Sequence, residues 1–242
     1  MNGRSYFVAD LHLTDERPAA TGRFFRLLQD EIAGSDGLYI LGDLFESWIG
    51  DDHDEQVAHD TARQLKALTE AGTPVYFMHG NRDFMLARRY AALSGMALLA
   101  DPSQINLYGT PTLLMHGDTL CTDDLSYQAF RRRVRRPWVL TLLRWLPFSV
   151  RQRLARHARA GSESAKADKS ADIMDVNAAA VNQALRAHQA QRMIHGHTHR
   201  PAQHTHHVDG QVCERWVVPD WYARWGYVRC DAQGCTLVVE PS

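Results

Sequence analysis

No run of about 20 apolar residues occurs in the chain, and a membrane-crossing helix needs one, so no segment is expected to span a bilayer. Cysteine is scarce. The four present, Cys121, Cys213, Cys230 and Cys235, have spacings that match no common zinc-binding pattern. A chain of 242 residues needs no disulfide framework, so reduced thiols are expected. No long apolar leader precedes the strand-like run at Ser5, so no secretory signal is expected, and the expected compartment is a reducing cytoplasm. An excess of one charge is missing too. The 27 Lys and Arg balance 28 Asp and Glu to a formal net charge of -1, so no overall field draws the chain to nucleic acid. Repeats and low-complexity segments are absent. What is present suits a packed core: 45% hydrophobic and 23% charged residues, in a length fit for one large domain or one domain with an insertion.

Five short apolar runs each end in Asp, Asn or His beside a Gly or a second His. They are Tyr6–Ala9 before Asp10-Leu11-His12, Leu38–Leu41 before Gly42-Asp43, Val75–Met78 before His79-Gly80-Asn81-Arg82-Asp83, Thr112–Met115 before His116-Gly117-Asp118, and Met193-Ile194 before His195-Gly196-His197-Thr198-His199. Apolar runs of this length flanked by Gly predict buried strands. Between them, Thr21–Ala33, Asp54–Ala71 and Asp175–Gln189 carry apolar residues at helical spacing. Past His204 the pattern changes to β-prone runs with turns at Asp209-Gly210 and Gln233-Gly234, which predict hairpins. Together these predict an α/β fold, a mixed two-sheet sandwich with helices outside.

The stretch 125–161 differs from the rest. It holds ten arginines (131, 132, 133, 135, 136, 144, 151, 153, 156 and 159) and no acid, interleaved with Phe130, Trp138, Leu142, Trp145 and Phe148. It predicts a basic and apolar helical insertion, followed by a polar Ser/Lys loop over 161–170.

Ligands bind beyond the carboxyl ends of strands in open α/β sheets, and the five predicted strands place hard-oxygen and imidazole donors there. Asp10 and His12, two apart, share one face of an extended segment. Asp43 has two carboxylate oxygens and can bridge two cations. Asn81 adds an amide oxygen, and His116, His197 and His199 add imidazoles. Seven such donors suit two divalent ions sharing a carboxylate, and the mixed oxygen and imidazole set fits Mn²⁺, Fe²⁺ or Zn²⁺ better than Ca²⁺. Four cationic charges against Asp10, Asp43 and a bridging hydroxide leave the centre positive and suited to a phosphate. Paired metals also acidify a shared water for displacement at phosphorus. Asp101, His53, His59, His204, His206 and His207 follow no such run and are expected on the solvated surface.

Asp10-x-His12, Gly42-Asp43, Gly80-Asn81, His116 and Gly196-His197-x-His199 resemble the motif set of the calcineurin-like metallophosphoesterases. The resemblance implies an α/β/β/α sandwich over 1–242, with a helical cap inserted at about 125–170. It implies one metal on Asp10, His12, Asp43 and His199, and a second on Asp43, Asn81, His116 and His197. Many members have a His after the Asn, where this chain has Arg82. An arginine cannot act as a general acid near neutrality but can clamp a phosphate, so a leaving group that needs little protonation is expected, such as one side of a pyrophosphate. The segments Gly42–Glu46, Trp48–Asp52, Gly80–Phe84, His116–Asp124 and Ile173–Asn177 resemble more closely the branch of that family acting on UDP-2,3-diacylglucosamine.

That closer resemblance implies hydrolysis to UMP and 2,3-diacylglucosamine 1-phosphate within lipid A biosynthesis, two Mn²⁺ per chain, and a catalytic set of Asp43, Asn81, Arg82, His116 and His197. Substrate contacts would be Asn81, Arg82, Asp124, Ser162, Lys166, Lys169 and His197. The water is expected to attack the uridine-side phosphorus. The cap suits two acyl chains and a diphosphate, and predicts a peripheral protein on the cytoplasmic face of the inner membrane, with no nucleic-acid partner. The alternatives are another dinuclear phosphodiesterase, such as a nuclease, and a non-catalytic scaffold; scaffolds of this fold tend to lose ligands, and all seven are present.

Overall fold

Neighbouring side chains of the first apolar run point to opposite sides, as a strand requires: Tyr6 and Val8 pack toward helices, and Phe7 and Ala9 toward a second sheet. The computed structural model describes residues 3–167, 175–222 and 224–241, with only the backbone course for 160–167 and 241. Along the chain run β1 (Ser5–Val8), α1 (Pro18–Leu27), β2 (Gly37–Ile40), α2 (Gln56–Glu70), β3 (Val75–Met78), α3 (Arg88–Ser94), β4 (Ala97–Leu99), β5 (Ser103–Leu107) and β6 (Thr110–Met115). Then come α4 (Leu125–Val134), α5 (Pro137–Trp145), α6 (Phe148–Ala167), α7 (Ala178–Ala187), β7 (Arg192–His195), β8 (Ala202–Val208), β9 (Gln211–Val217), β10 (Arg224–Asp231) and β11 (Gly234–Pro241).

The strands form a six-stranded sheet in the order β11-β10-β1-β2-β3-β4 and a five-stranded sheet in the order β5-β6-β7-β9-β8. β1 to β4 are parallel, as are β6, β7 and β9. The two hairpins part: β8–β9 joins the smaller sheet, and β10–β11 joins the larger beside β1. Phe7, Leu41, Met78, Leu114, Ile194 and Trp216 fill the space between the sheets. Phe24, Leu28, Leu65 and Leu68 cover the larger sheet from outside, and Val181 and Leu185 of α7 cover the smaller. The layers are therefore helix, sheet, sheet, helix, as the pattern predicts.

Several details differ from the expectations. The first helix starts at Pro18, where the fixed φ of proline suits a first turn, and ends in one π-turn over Leu28–Ile32. Residues 161–167, expected as loop, continue α6. Cys230 and Cys235 form a disulfide, because the β10–β11 register sets them directly opposite each other; counting cysteines cannot reveal such a pairing. Cys121 and Cys213 are free and buried. Asp101 and His53 are not solvated surface: their side chains are only 7% and 8% exposed, against Arg131 and Glu55.

Within the segment expected as a basic insertion, Leu140 and Leu143 turn inward onto the core. Trp138, Leu142 and Trp145, at i, i+4 and i+7 of α5, stay exposed. Four of the ten arginines are engaged by the protein. Arg131 and Arg135 reach Asp118, Arg151 reaches Asp52 and the Ile49 carbonyl, and Arg159 reaches Glu46. The other six are exposed.

Candidate metal centre

Five parallel strands, β1, β2, β3, β6 and β7, deliver their carboxyl ends to one edge, and backbone hydrogen bonds lace the loops there. Asp10 N–H donates to Gly42 O (3.1 Å), His12 N–H to Asp43 O (3.0 Å), Gly196 N–H to His116 O (2.9 Å), and Trp221 N–H to Asp10 O (3.0 Å). The loops must lie close. A Cβ on Gly42, whose φ is +94°, would sit 2.5 Å from His116 Nδ1. Asp10, His12, Asp43, His197 and His199 all have positive φ, between 50° and 71°. Non-glycine residues rarely adopt that region, and such strain concentrates at functional sites.

Two groups of donor atoms lie within 4.8 Å of one another: Asp10, His12 and His199, and Asp10, Asp43 and His116. Asp43 Oδ2 stands between them, 3.9 Å from His12 Nε2 and 4.0 Å from His116 Nε2. Asp10 Oδ1 is 3.6 Å from His199 Nε2. Asn81 Oδ1 is 3.1 Å from His116 Nε2. His197 belongs to neither group; its ring lies 5.0 Å from that of His116, and its N–H donates to Asp10 Oδ2 at 2.7 Å. Arg82 N–H donates to Asp43 Oδ1 (2.8 Å), and its guanidinium is 3.9 Å from Glu46. Asp124 caps α4 through the Tyr127 N–H. Ser162 and Lys166 fall where only the backbone course is described, and Lys169 lies outside the described residues.

The polar atoms fit a cation. His116 Nδ1–H is held by the Leu41 carbonyl (2.9 Å), which turns the Nε2 lone pair toward the Asn81 oxygen and Asp43. With Nδ1–H held this way, either a proton on Nε2 or a bound cation satisfies the facing Asn81 oxygen. Asp10 Oδ1 and His12 Nε2 are buried without a hydrogen-bond partner, which is costly unless a ligand satisfies them. Burial opposes charge on His116, yet Asp43, Asp118 and Asp10 overcome it and lift its pKa to about 9; the same acids that hold a proton would hold a metal. Burial, then the neighbouring His116, push His197 down to about 3. Burial would raise Asp10, but His199, His116 and His12 hold it below the ordinary carboxylate range.

Several residues at the site stand inside the sequence motifs but had no role assigned to them. Asp118 is buried and accepts from Tyr127 Oη (2.6 Å) and Arg131 Nε (2.7 Å), fastening α4 to the loop after β6. Asp83 accepts from the N–H groups of Leu44 (2.7 Å) and Gly80 (2.8 Å), tying two loops together; burial, then Asp43, raise it to about 7. Glu46 lies 3.2 Å from His12 Nδ1 and accepts from Tyr222 Oη at 2.6 Å. Tyr127 and Gln128 lie one helical turn before Arg131, but only the fold shows that all three meet Asp118.

The calcineurin-like phosphoesterase family model matches residues 3–201. The chain belongs to that family. As a calcineurin-like phosphoesterase it is 48% identical over 235 residues to a UDP-2,3-diacylglucosamine hydrolase of Enterobacter sp. (strain 638), covering 97% of this chain and 98% of that protein. It is 49% identical to the protein of the same name from Escherichia coli O6:H1, with the same coverage. The structure of vacuolar protein sorting 29 from Cryptosporidium parvum is similar at a TM-score of 0.50 and 12% identity, covering 100% of this chain and 92% of that one, which bears on the fold alone.

Proposed function

We propose that this calcineurin-like phosphoesterase hydrolyses the pyrophosphate bond of UDP-2,3-diacylglucosamine to UMP and 2,3-diacylglucosamine 1-phosphate. What supports this most is the 48–49% identity, over 97% of the chain, to proteins bearing that hydrolase's name. All seven donors stand at the strand edge. In this reading Asp10, His12, Asp43 and His199 hold one Mn²⁺, and Asp43, Asn81, His116 and His197 a second. Bound there, the two ions supply an acidified water and neutralise phosphate charge.

The chain's own residues do the rest. Arg82 clamps a diphosphate oxygen and stays charged throughout, so it stabilises developing negative charge without giving up a proton. Asn81 offers its amide to the same phosphate. Water attacks the uridine-side phosphorus as the P–O bond to the bridging oxygen breaks, and the lipid phosphate departs as an anion. Asp124, Ser162, Lys166, Lys169 and His197 complete the substrate contacts in this reading.

The chain then acts as one domain with a cap at about 125–170. Among the described residues no helix is long and apolar enough to cross a membrane. Trp138, Leu142 and Trp145 are 63%, 57% and 84% exposed, and Arg132, Arg133, Arg136 and Arg144, near them in the sequence, are exposed as well. Apolar side chains rimmed by cations suit an anionic lipid interface better than a nucleic-acid backbone. The cap thus rests on the cytoplasmic face of the inner membrane while the two acyl chains stay near lipid.

Hydrolysis of UDP-2,3-diacylglucosamine in water enriched in heavy oxygen tests the chemistry: label is expected in UMP, and label in the lipid product would refute attack at that phosphorus. Sedimentation with anionic vesicles tests the surface. Wild type is expected to pellet and Trp138→Ser/Trp145→Ser to stay in solution; equal pelleting would reject the interfacial reading.

A further inference from the structure

The run His195-Gly196-His197-Thr198-His199 has three imidazoles, and the first is not aimed at the donor cluster. His195 is fully buried. Its Nδ1 lies 2.8 Å from the Gly196 carbonyl, which can only accept, and its Nε2 lies 3.2 Å from Arg215 Nη1, which can only donate. A neutral ring with its proton on Nδ1 satisfies both partners.

Arg215 has an unusual setting. It is 7% exposed, and its hydrogen-bond acceptors are two imidazoles: Nη1 meets His195, and Nε donates to His206 Nε2 at 3.1 Å. His206 Nδ1 in turn is 2.9 Å from Asn182 Oδ1 on α7. Among the described residues no carboxylate lies within ion-pair distance of this guanidinium, and Asp175, the acid that attracts it, is paired with Arg200. A buried cation without a carboxylate is costly, and an apolar side chain would serve packing better. The charge must therefore do something packing does not.

What lies beyond His195 indicates what that is. The Gly196 carbonyl also accepts from Thr198 N–H (2.9 Å), and Gly196 N–H holds His116 O. The loop after β6 rests on the same ring: a Cβ on Gly117, whose φ is +116°, would meet His195 Nδ1 at 2.8 Å. His197 and His199 follow with φ of 71° and 55°, conformations that persist only where the surroundings over-determine them.

We infer that Arg215 and His195 form a positioning relay: Arg215 fixes His195 as its Nδ1–H tautomer, and that N–H holds the Gly196 carbonyl so that the loop presents His197 and His199 to the donor cluster. Neither residue touches substrate or metal. The inference rests on the proposal that His197 and His199 are metal ligands.

The test compares wild type with Arg215→Met and Arg215→Lys by three readouts. Nitrogen NMR of the metal-free protein reads the His195 tautomer, calorimetric titration reads Mn²⁺ affinity, and urea unfolding reads stability. Wild type is expected to show protonated Nδ1 and bare Nε2. Arg215→Met should lose the single tautomer and about tenfold in Mn²⁺ affinity, the low end for residues supporting metal ligands. Arg215→Lys, which keeps a buried donor, should regain both in part. If Arg215→Met does not fold, Arg215→Gln is read in its place. An unchanged tautomer or unchanged affinity in the variant overturns the relay, as does recovery of the tautomer by lysine without affinity. Wild type that binds no Mn²⁺ would overturn the metal proposal instead, and the tautomer would still decide what Arg215 does.

Discussion

Replacing Arg151 by Met should loosen the cap without touching the metal centre. Arg151 is 5% exposed and sits near the start of α6. Its Nη1 donates to the Ile49 carbonyl at 2.6 Å and its Nε to the Leu146 carbonyl at 3.1 Å, and it pairs with Asp52. Each buried bond from a charged donor to a carbonyl contributes about 1.5 kcal/mol, at the low end of its range. The Asp52 pair adds under about 1 kcal/mol, since that carboxylate is 49% exposed. The Leu146 bond lies within the cap and survives undocking, so the expected loss is about 2 kcal/mol, and at 1.4 kcal/mol per tenfold the docked population falls about thirtyfold relative to the undocked one. Hydrogen exchange read by mass spectrometry should show peptides of α5 and α6 exchanging faster by up to that factor, with β1–β3 unchanged and Mn²⁺ affinity intact. Arg153→Met, exposed on the same helix, should exchange like wild type. Equal acceleration by both variants, or by neither, would refute the assignment of Arg151 as the cap's internal tether.

Asp43→Ala should abolish turnover and remove at least one of the two proposed ions, because Asp43 Oδ2 stands between His12 and His116; elemental analysis showing two Mn²⁺ per chain would contradict its bridging place. Glu46 gives a pH signature. Burial alone would raise its pKa, but His12, Tyr222 and Arg82 bring it down to about 2 from 4.5. An acid depressed by folding contributes stability above its unfolded value and loses it as pH falls through the folded value. Metal-free wild type should therefore weaken between pH 4.5 and 2 more steeply than Glu46→Gln, and parallel urea-unfolding curves would count against it. Cys230→Ser/Cys235→Ser should lower stability by about 2 kcal/mol, the loop-closure value for cysteines five apart in sequence. Reductant should bring wild type to the same midpoint, and a double variant as stable as the oxidised protein would refute that.

Much of this architecture is written locally. Tyr6–Val8, Leu38–Ile40 and Val75–Met78 are apolar enough to identify themselves as buried strands, and the polar residue that ends each one marks the sheet edge. Seven candidate ligands were legible for that reason. What escaped was pairing between distant segments. Nothing local tells Asp118 that Arg131 and Arg135 will neutralise it, or places Tyr222 against His12. Ten arginines without an acid read as one basic surface, yet the acids that engage four of them, Asp52, Asp118, Glu46 and Asp101, lie outside that stretch. The two hairpins were visible from Asp209-Gly210 and Gln233-Gly234, but their assignment to different sheets depends on which edge each finds free.

The place of β1, flanked by β2 on one side and β10 on the other, sets a schedule for biosynthesis. The strand that leads into Asp10 leaves the ribosome more than 200 residues before its second neighbour is made. The Asp10 carbonyl likewise waits for the Trp221 amide. A nascent chain therefore cannot assemble the donor edge, and a stalled translation product would be inert toward phosphate esters. Catalytic competence arrives as a late, whole-molecule event.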